Sequence, residues 1–184
     1  MNHRLNKKMT LQFVSTLTFL FLASCATLSP KSISDVPTIN VTNVKVPPLK
    51  NIPQKTVNLS IMDNRDPQFR QNSPALQAEL RRAVTLSLKS QGVAVNQTSQ
   101  NTLLISVQDV AVGEYKDGCV KVNSMLAIPQ VANLYADATS CFEVKSPVST
   151  VSMGSDINES YEMALSAIFQ SLGNNLQKLT PAKK

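Results

Sequence analysis

The sequence predicts an α+β domain: a twisted antiparallel sheet of four to five strands with two helices packed on one face, preceded by a Pro-rich tether. Three observations carry this expectation. Short stretches alternate apolar and polar residues with the period of a half-buried strand, as Val57, Leu59 and Ile61 do against Asn58 and Ser60. Two longer stretches repeat apolar residues at helical spacing, one through Leu76, Leu80, Ala83, Val84, Ser87 and Leu88, the other from Ile157 to Leu179. Pro30, Pro37, Pro47, Pro48 and Pro53 punctuate everything between the first apolar run and the first strand.

That apolar run, Leu11 to Cys25, follows Arg4, Lys7 and Lys8 and ends in Leu22-Ala23-Ser24-Cys25. A basic start, a short apolar core and small residues at the cut make a secretory signal peptide over 1–24. The run is too short for a bilayer-spanning helix, which needs about 20 residues. Its ending matches a bacterial lipobox, so Cys25 is the expected lipidation site. Two or more acyl chains, at about 0.8 kcal/mol per buried methylene, give stable anchoring where one does not.

Removing the leader changes the charge argument. The whole chain carries 18 basic and 12 acidic residues, and 3 of the basic ones precede the cut, leaving 15 − 12 = +3. Spread along the chain, that balance makes no phosphate-binding stripe, so no nucleic-acid partner is expected. His3, the one histidine, lies in the leader, and there is no tryptophan.

Residues 25–54 read as the lipidated cysteine and an extended tether. Proline disfavours helix and stiffens a chain toward polyproline II, so the tether reaches roughly 80 Å at about 3.1 Å per residue. Ile39, Val41, Val44 and Val46 do not suit a plain spacer. They fit either a short edge strand on the chain's own domain or a segment that docks on a partner by strand addition.

The folded domain is expected over 55–180. Its first strand ends at Asp63-Asn64-Arg65-Asp66-Pro67, a run of turn formers. Ser73 as cap, Pro74 in the first turn and Gly92 at the exit punctuate the first helix, with a short strand at Val93 to Val95. In Leu103 to Val112 the parity of apolar residues shifts, which predicts a bulge near Gln108-Asp109. Lys116-Asp117-Gly118 reads as a tight turn before a hairpin of Cys119–Ile128 and Leu134–Lys145. Ser146 to Ser155 reads as a loop, Asp156 and Glu159 as a capping box for the last helix, and 181–184 as a solvated tail.

The hairpin register follows from its apolar pattern. Centring it on Gln130 sets Val122 against Ala138, Ser124 against Ala136 and Leu126 against Leu134, with one apolar face. The same register sets Cys119 opposite Cys141 on the polar face, within disulfide range. A bridge there would contribute on the order of 3 kcal/mol; the alternative is two free thiols.

Chemistry is thinly represented. Without histidine beyond the leader, a Ser-His-Asp or Cys-His arrangement cannot be assembled and the commonest zinc ligand is missing. The five glycines form no phosphate loop. No cofactor, metal or catalytic activity is expected. Asp63, Arg65 and Asp66 form one polar cluster, readable as a cation or partner site, but the favoured reading is a turn in which Asp63 bonds local amides and Arg65 pairs with a neighbouring acid.

In layout the chain resembles the YajG-like outer-membrane lipoproteins of Gram-negative bacteria. The matching pieces are Leu22 to Cys25, Val57 to Ile61, Asp63 and Arg65, Gly92-Val93, Leu103 to Val112 and Ile157 to Leu179. The Cys119 and Cys141 pair departs from that pattern. The resemblance implies an α+β fold with no established activity, and Ala26, where Asp would signal retention at the inner membrane, implies the outer membrane. The expectation is therefore a periplasm-facing lipoprotein, held to membrane lipid through acylated Cys25, that works by contact as a structural or accessory subunit of an envelope assembly such as a secretion-system complex. A protein partner in the envelope is expected, with the oligomeric state open. The alternative is a carrier holding a lipid or small apolar ligand in a cavity lined by Met125, Leu126, Phe142, Phe169 and Leu172.

Overall fold

Among the described residues five strands and two helices follow one another as β1 (Thr56–Asp63), α1 (Ser73–Ser90), β2 (Ala94–Val95), β3 (Thr102–Val112), β4 (Asp117–Ile128), β5 (Ala132–Glu143) and α2 (Thr150–Lys178). This computed structural model describes residues 36–67, 70, 72–112, 117–143 and 150–179. The expected signal peptide, the lipobox with Cys25 and the 181–184 tail lie outside the described residues, as do Lys116 of the expected turn, 144–145 of the expected last strand and 146–149 of the expected loop; 150–155 of that loop are helical instead.

The sheet runs β2-β1-β3-β4-β5. The α+β class and the two helices are as expected, but the sheet is mixed rather than wholly antiparallel. β1 runs parallel to both β2 and β3, while β3–β4 and β4–β5 are antiparallel. Parallel neighbours need a crossover, and α1 supplies it between β1 and β2. β2 then stops after two residues, and the following loop steps across the start of β1, where the Asn101 side-chain amide donates to the carbonyls of Pro53 and Thr56 (2.9 Å each) and the Asn101 carbonyl accepts from the Asn58 amide (2.7 Å). Alternation reports which face a residue takes, not which way its strand runs.

One face of the sheet is buried. Val57, Leu59 and Ile61 of β1 line up with Leu103, Ile105 and Val107 of β3, then with Val120, Val122 and Leu126 of β4 and Ala136, Ala138 and Phe142 of β5. α1 packs over β1 and β2, and α2 over β4 and β5, so both helices cover this same face. The opposite face has no helix among the described residues. The β4–β5 register matches expectation at every pair named, Cys119 opposite Cys141 included, and the β3 register shifts between Val107 and Asp109 where the bulge was expected. At the hairpin tip the Val131 amide donates to the Ile128 carbonyl with Gln130 at φ 61, a type II turn that Pro129 favours at its second position.

Both helix starts differ from the sequence reading. Asn72, not Ser73, flanks α1, and Pro74 sits in its first turn. The Ser73 hydroxyl instead accepts from Gln77 Nε2 one turn along (3.2 Å). α2 begins at Thr150, so Asp156 and Glu159 lie within the helix rather than at its cap. The α1 exit is as read: Gly92 at φ 72 directs its amide to the Lys89 carbonyl and that of Val93 to Leu88 (3.0 Å each), which satisfies two end carbonyls. No helix among the described residues is long and apolar enough to cross a membrane.

Candidate interaction surfaces

The largest departure from expectation is the tether. Residues 36–55 are not a spacer but a strap packed against α1 and α2, so the folded domain begins well before Lys55. An extended, Pro-rich backbone cannot satisfy its own amides and carbonyls, so the helices must supply partners. The Thr38 amide donates to Asn158 Oδ1 (2.8 Å) and the Ile39 amide to Glu79 Oε1 (2.7 Å), while Arg82 Nη2 donates to the Ile39 carbonyl (2.6 Å). Glu162 takes the Asn40 amide on one oxygen (2.7 Å) and Asn43 Nδ2 on the other (2.8 Å). Farther along, the Lys45 amide donates to Ser166 Oγ (2.9 Å) and Asn51 Nδ2 to the Leu176 carbonyl (2.9 Å). The Arg82 guanidinium, with the Ile39 amide behind it, holds the Glu79 carboxyl below the usual carboxylate range although burial pushes the other way.

This geometry corrects the reading of Ile39, Val41, Val44 and Val46. Ile39 is 2% exposed and Val44 6%, with Val41 and Val46 half-buried. They are neither an edge strand nor a segment offered to another protein; Val41–Asn43 forms a single 3-10 turn. Leu49 and Ile52 are buried with them. An open groove of about 760 Å³ runs beside the strap past Thr42, Lys45, Glu159 and Met163, but Glu162 and Asn158 on its inner wall are already engaged by strap donors.

Sequence reasoning missed Glu79, Arg82, Glu162 and Gly173 as the residues that seat the strap. A signal existed. Asn158, Glu162 and Ser166 recur every four residues beside the apolar stripe of α2, which places three acceptors along one side of the helix. Gly173 continues that side and leaves room for Pro47, whose Cγ would lie 2.6 Å from an added Cβ. Alanine there regains about 1 kcal/mol of helix propensity against the clash, so a larger residue reads more clearly. Gly173→Leu should lose about 1–3 kcal/mol by overpacking and open Lys45, Lys50 and Lys55 to trypsin. Urea unfolding and limited proteolysis check this; wild-type resistance would show that the strap is not held here.

The cluster after β1 resolves into a structural staple. Arg65 Nε donates to Asp63 Oδ1 and Nη2 to Oδ2 (2.8 Å each), and the Arg65 amide adds a third contact to Oδ1 (3.2 Å). Arg65 is 2% exposed and the Asp63 side chain fully buried. Burial alone would push the Asp63 carboxyl up, but the Arg65 and Ser73 hydrogen bonds outweigh it and hold it low. Asp66 is exposed on the turn. The pair is spent on the fold, and among the described residues no group of three or more His, Cys, Asp or Glu could hold a metal ion.

The remaining surface is the open face of the sheet. Met62 (43% exposed) and Tyr135 (65%) stand on it with the half-buried Leu104 and Met125, and the Cys119–Cys141 disulfide joins the neighbouring strands β4 and β5 there. This placement disposes of the ligand cavity proposed from sequence. Leu126, Phe142, Phe169 and Leu172 are packed on the helix side, whereas Met125 projects from the opposite face, so the five cannot line one chamber.

No family model matches the chain, and no curated protein does. Among solved structures, the chain resembles a Xanthomonas campestris protein of the family DUF330, at 14% identity and TM-score 0.50 over 79% of this chain and 98% of that one. It is also similar to a minor lipoprotein from Acinetobacter baumannii, at 10% identity and TM-score 0.39 over 71% and 97%. A third likeness is to the PelC dodecamer from Paraburkholderia phytofirmans, at 18% identity and TM-score 0.39 over 61% and 86%. The first of these shows a shared α+β fold.

Proposed function

We propose that this chain is a lipid-anchored, non-catalytic lipoprotein of the YajG-like kind, on the periplasmic face of the outer membrane, working by protein contact within an envelope assembly. The lipobox at Leu22 to Cys25 carries the reading. The domain beyond it supports contact over turnover: its buried carboxylates Asp63 and Glu162 are both engaged by the chain's own donors, while no helix among the described residues covers one whole face of the sheet. With the strap packed from Val36 onward, ten residues, Ala26 to Asp35, separate Cys25 from the domain. They span at most about 35 Å, less than half the reach read from sequence, so the domain works close to its membrane.

The test is fractionation. Wild-type chain should stay with outer-membrane vesicles through high salt and alkali and leave only with detergent. A Cys25→Ser variant should be released as soluble protein, because the acyl chains supply the anchoring free energy. Envelope retention of that variant would overturn the anchor.

A further inference from the structure

The two edges of the sheet are built differently. At one, β2 is two residues long, and beyond its end Arg81 Nη1 donates to the Leu59 carbonyl of β1 (2.9 Å). A very short edge strand and a covering side chain are among the devices that keep edges from pairing. The other edge, β5, has neither. It runs twelve residues without proline or lysine and without a register shift against β4, and no other strand of the described residues pairs with it.

The outward backbone groups of β5 can be assigned. Cys119 and Cys141 lie directly opposite with their α-carbons 4.0 Å apart. That is the spacing of a pair that exchanges no backbone hydrogen bonds; a bonded pair sits at about 5.5 Å. Strict alternation then turns the amides and carbonyls of Asn133, Tyr135, Asp137, Thr139 and Cys141 away from β4. The side chains of these same residues are exposed on the open face.

From this we infer that β5 pairs antiparallel with β5 of a second copy of this chain, joining two sheets across a two-fold axis. The inference rests on the contact function proposed above and names its partner. Parity limits the register, because outward-pointing residues must face outward-pointing residues. Two registers then use nearly the whole strand. One sets Asp137 against its own copy, and like charges directly opposite are destabilising. The other, centred on Ala138, sets Asp137 against Thr139, Tyr135 against Cys141, and the small Ala138 against itself. Asp137 is the one charged residue of β5 before its terminal Glu143, so this register leaves no like-charge clash along the central stretch. The result is the self-complementary interface that two-fold dimers require.

The test uses full-length chain in mild detergent and the Cys25→Ser form in buffer, followed by sedimentation over a wide concentration range with hydrogen exchange at β5. Twice the protomer mass at high concentration is expected, with the Tyr135, Asp137 and Thr139 amides protected only in the dimer. Thr139→Pro deletes an amide that β4 does not use, and Thr139→Lys adds an edge-blocking charge without touching the backbone; both should give monomers with exposed amides. A monomer throughout, a dimer that survives both variants, or a β5 edge protected only by a different protein would each overturn the pairing. Wild-type chain that leaves the membrane without detergent yet dimerises sinks the anchor alone, and wild-type chain that stays anchored but monomeric sinks the pairing alone.

Discussion

Replacing Arg65 with alanine should cost about 3–5 kcal/mol of folding stability, because it strands a buried carboxylate without its partner. The guanidinium meets both oxygens of Asp63 in the interior between the end of β1 and the start of α1. Urea unfolding measures the loss, and a change within the error of the method would show that the pair does not staple this turn. Removing both charges is a different experiment: Asp63→Leu with Arg65→Met leaves no buried ion and should sit much nearer wild type. The pH dependence has a definite sign. The folded Asp63 carboxyl lies below its unfolded value, so its contribution is complete above the unfolded value of about 4 and is lost as pH falls through the lower folded value. In Arg65→Ala, burial opposes ionisation with the Ser73 hydroxyl left as the remaining side-chain donor, so Asp63 takes up its proton at higher pH and acid sensitivity begins earlier.

Loss of the Cys119–Cys141 bridge should lower stability by about 3 kcal/mol, the loop-closure entropy of its separation of 22 residues. With a urea slope of about 1–3 kcal/mol per molar, the midpoint of a Cys119→Ser/Cys141→Ser variant should fall by about 1–3 M. The bridge lies on the open face, with Cys141 exposed, and neither helix packs against that face. The native core should therefore be unchanged, with the effect entering through the unfolded chain. Near-wild-type circular dichroism together with the lowered midpoint is the expected pair of results; an unmoved midpoint would sink the entropic account. Added thiol reductant should reproduce the variant, since an exposed sulfur is open to attack.

Much of the fold was legible because it depends on short-range patterning. Val57, Leu59 and Ile61 announce one buried face, and the small and apolar residues of β4 and β5 admit one register, since a slip of one residue would turn every side chain over. That register sets Cys119 opposite Cys141, the pair that the structure joins in a disulfide. That Arg65 pairs with a neighbouring acid was readable from the turn after the first strand; that this acid is Asp63, met through both oxygens, was not. The strap was not. Its prolines and polar residues are those of a solvated spacer, and its fate depends on acceptors at Glu79, Asn158, Glu162 and Ser166, which lie 40 to 122 residues farther along.

What the sequence determined by itself, then, is which residues face inward and where the chain turns. Periodicity, capping and turn chemistry act within a few residues, so they are written locally. Tertiary structure alone decided that β1 runs parallel to its neighbours, that residues 36–55 belong to the domain, and that one sheet edge is blunted while no strand of the described residues pairs with the other. Each of these depends on hydrogen-bond partners far away in the chain, and no local pattern specifies which distant group will meet them.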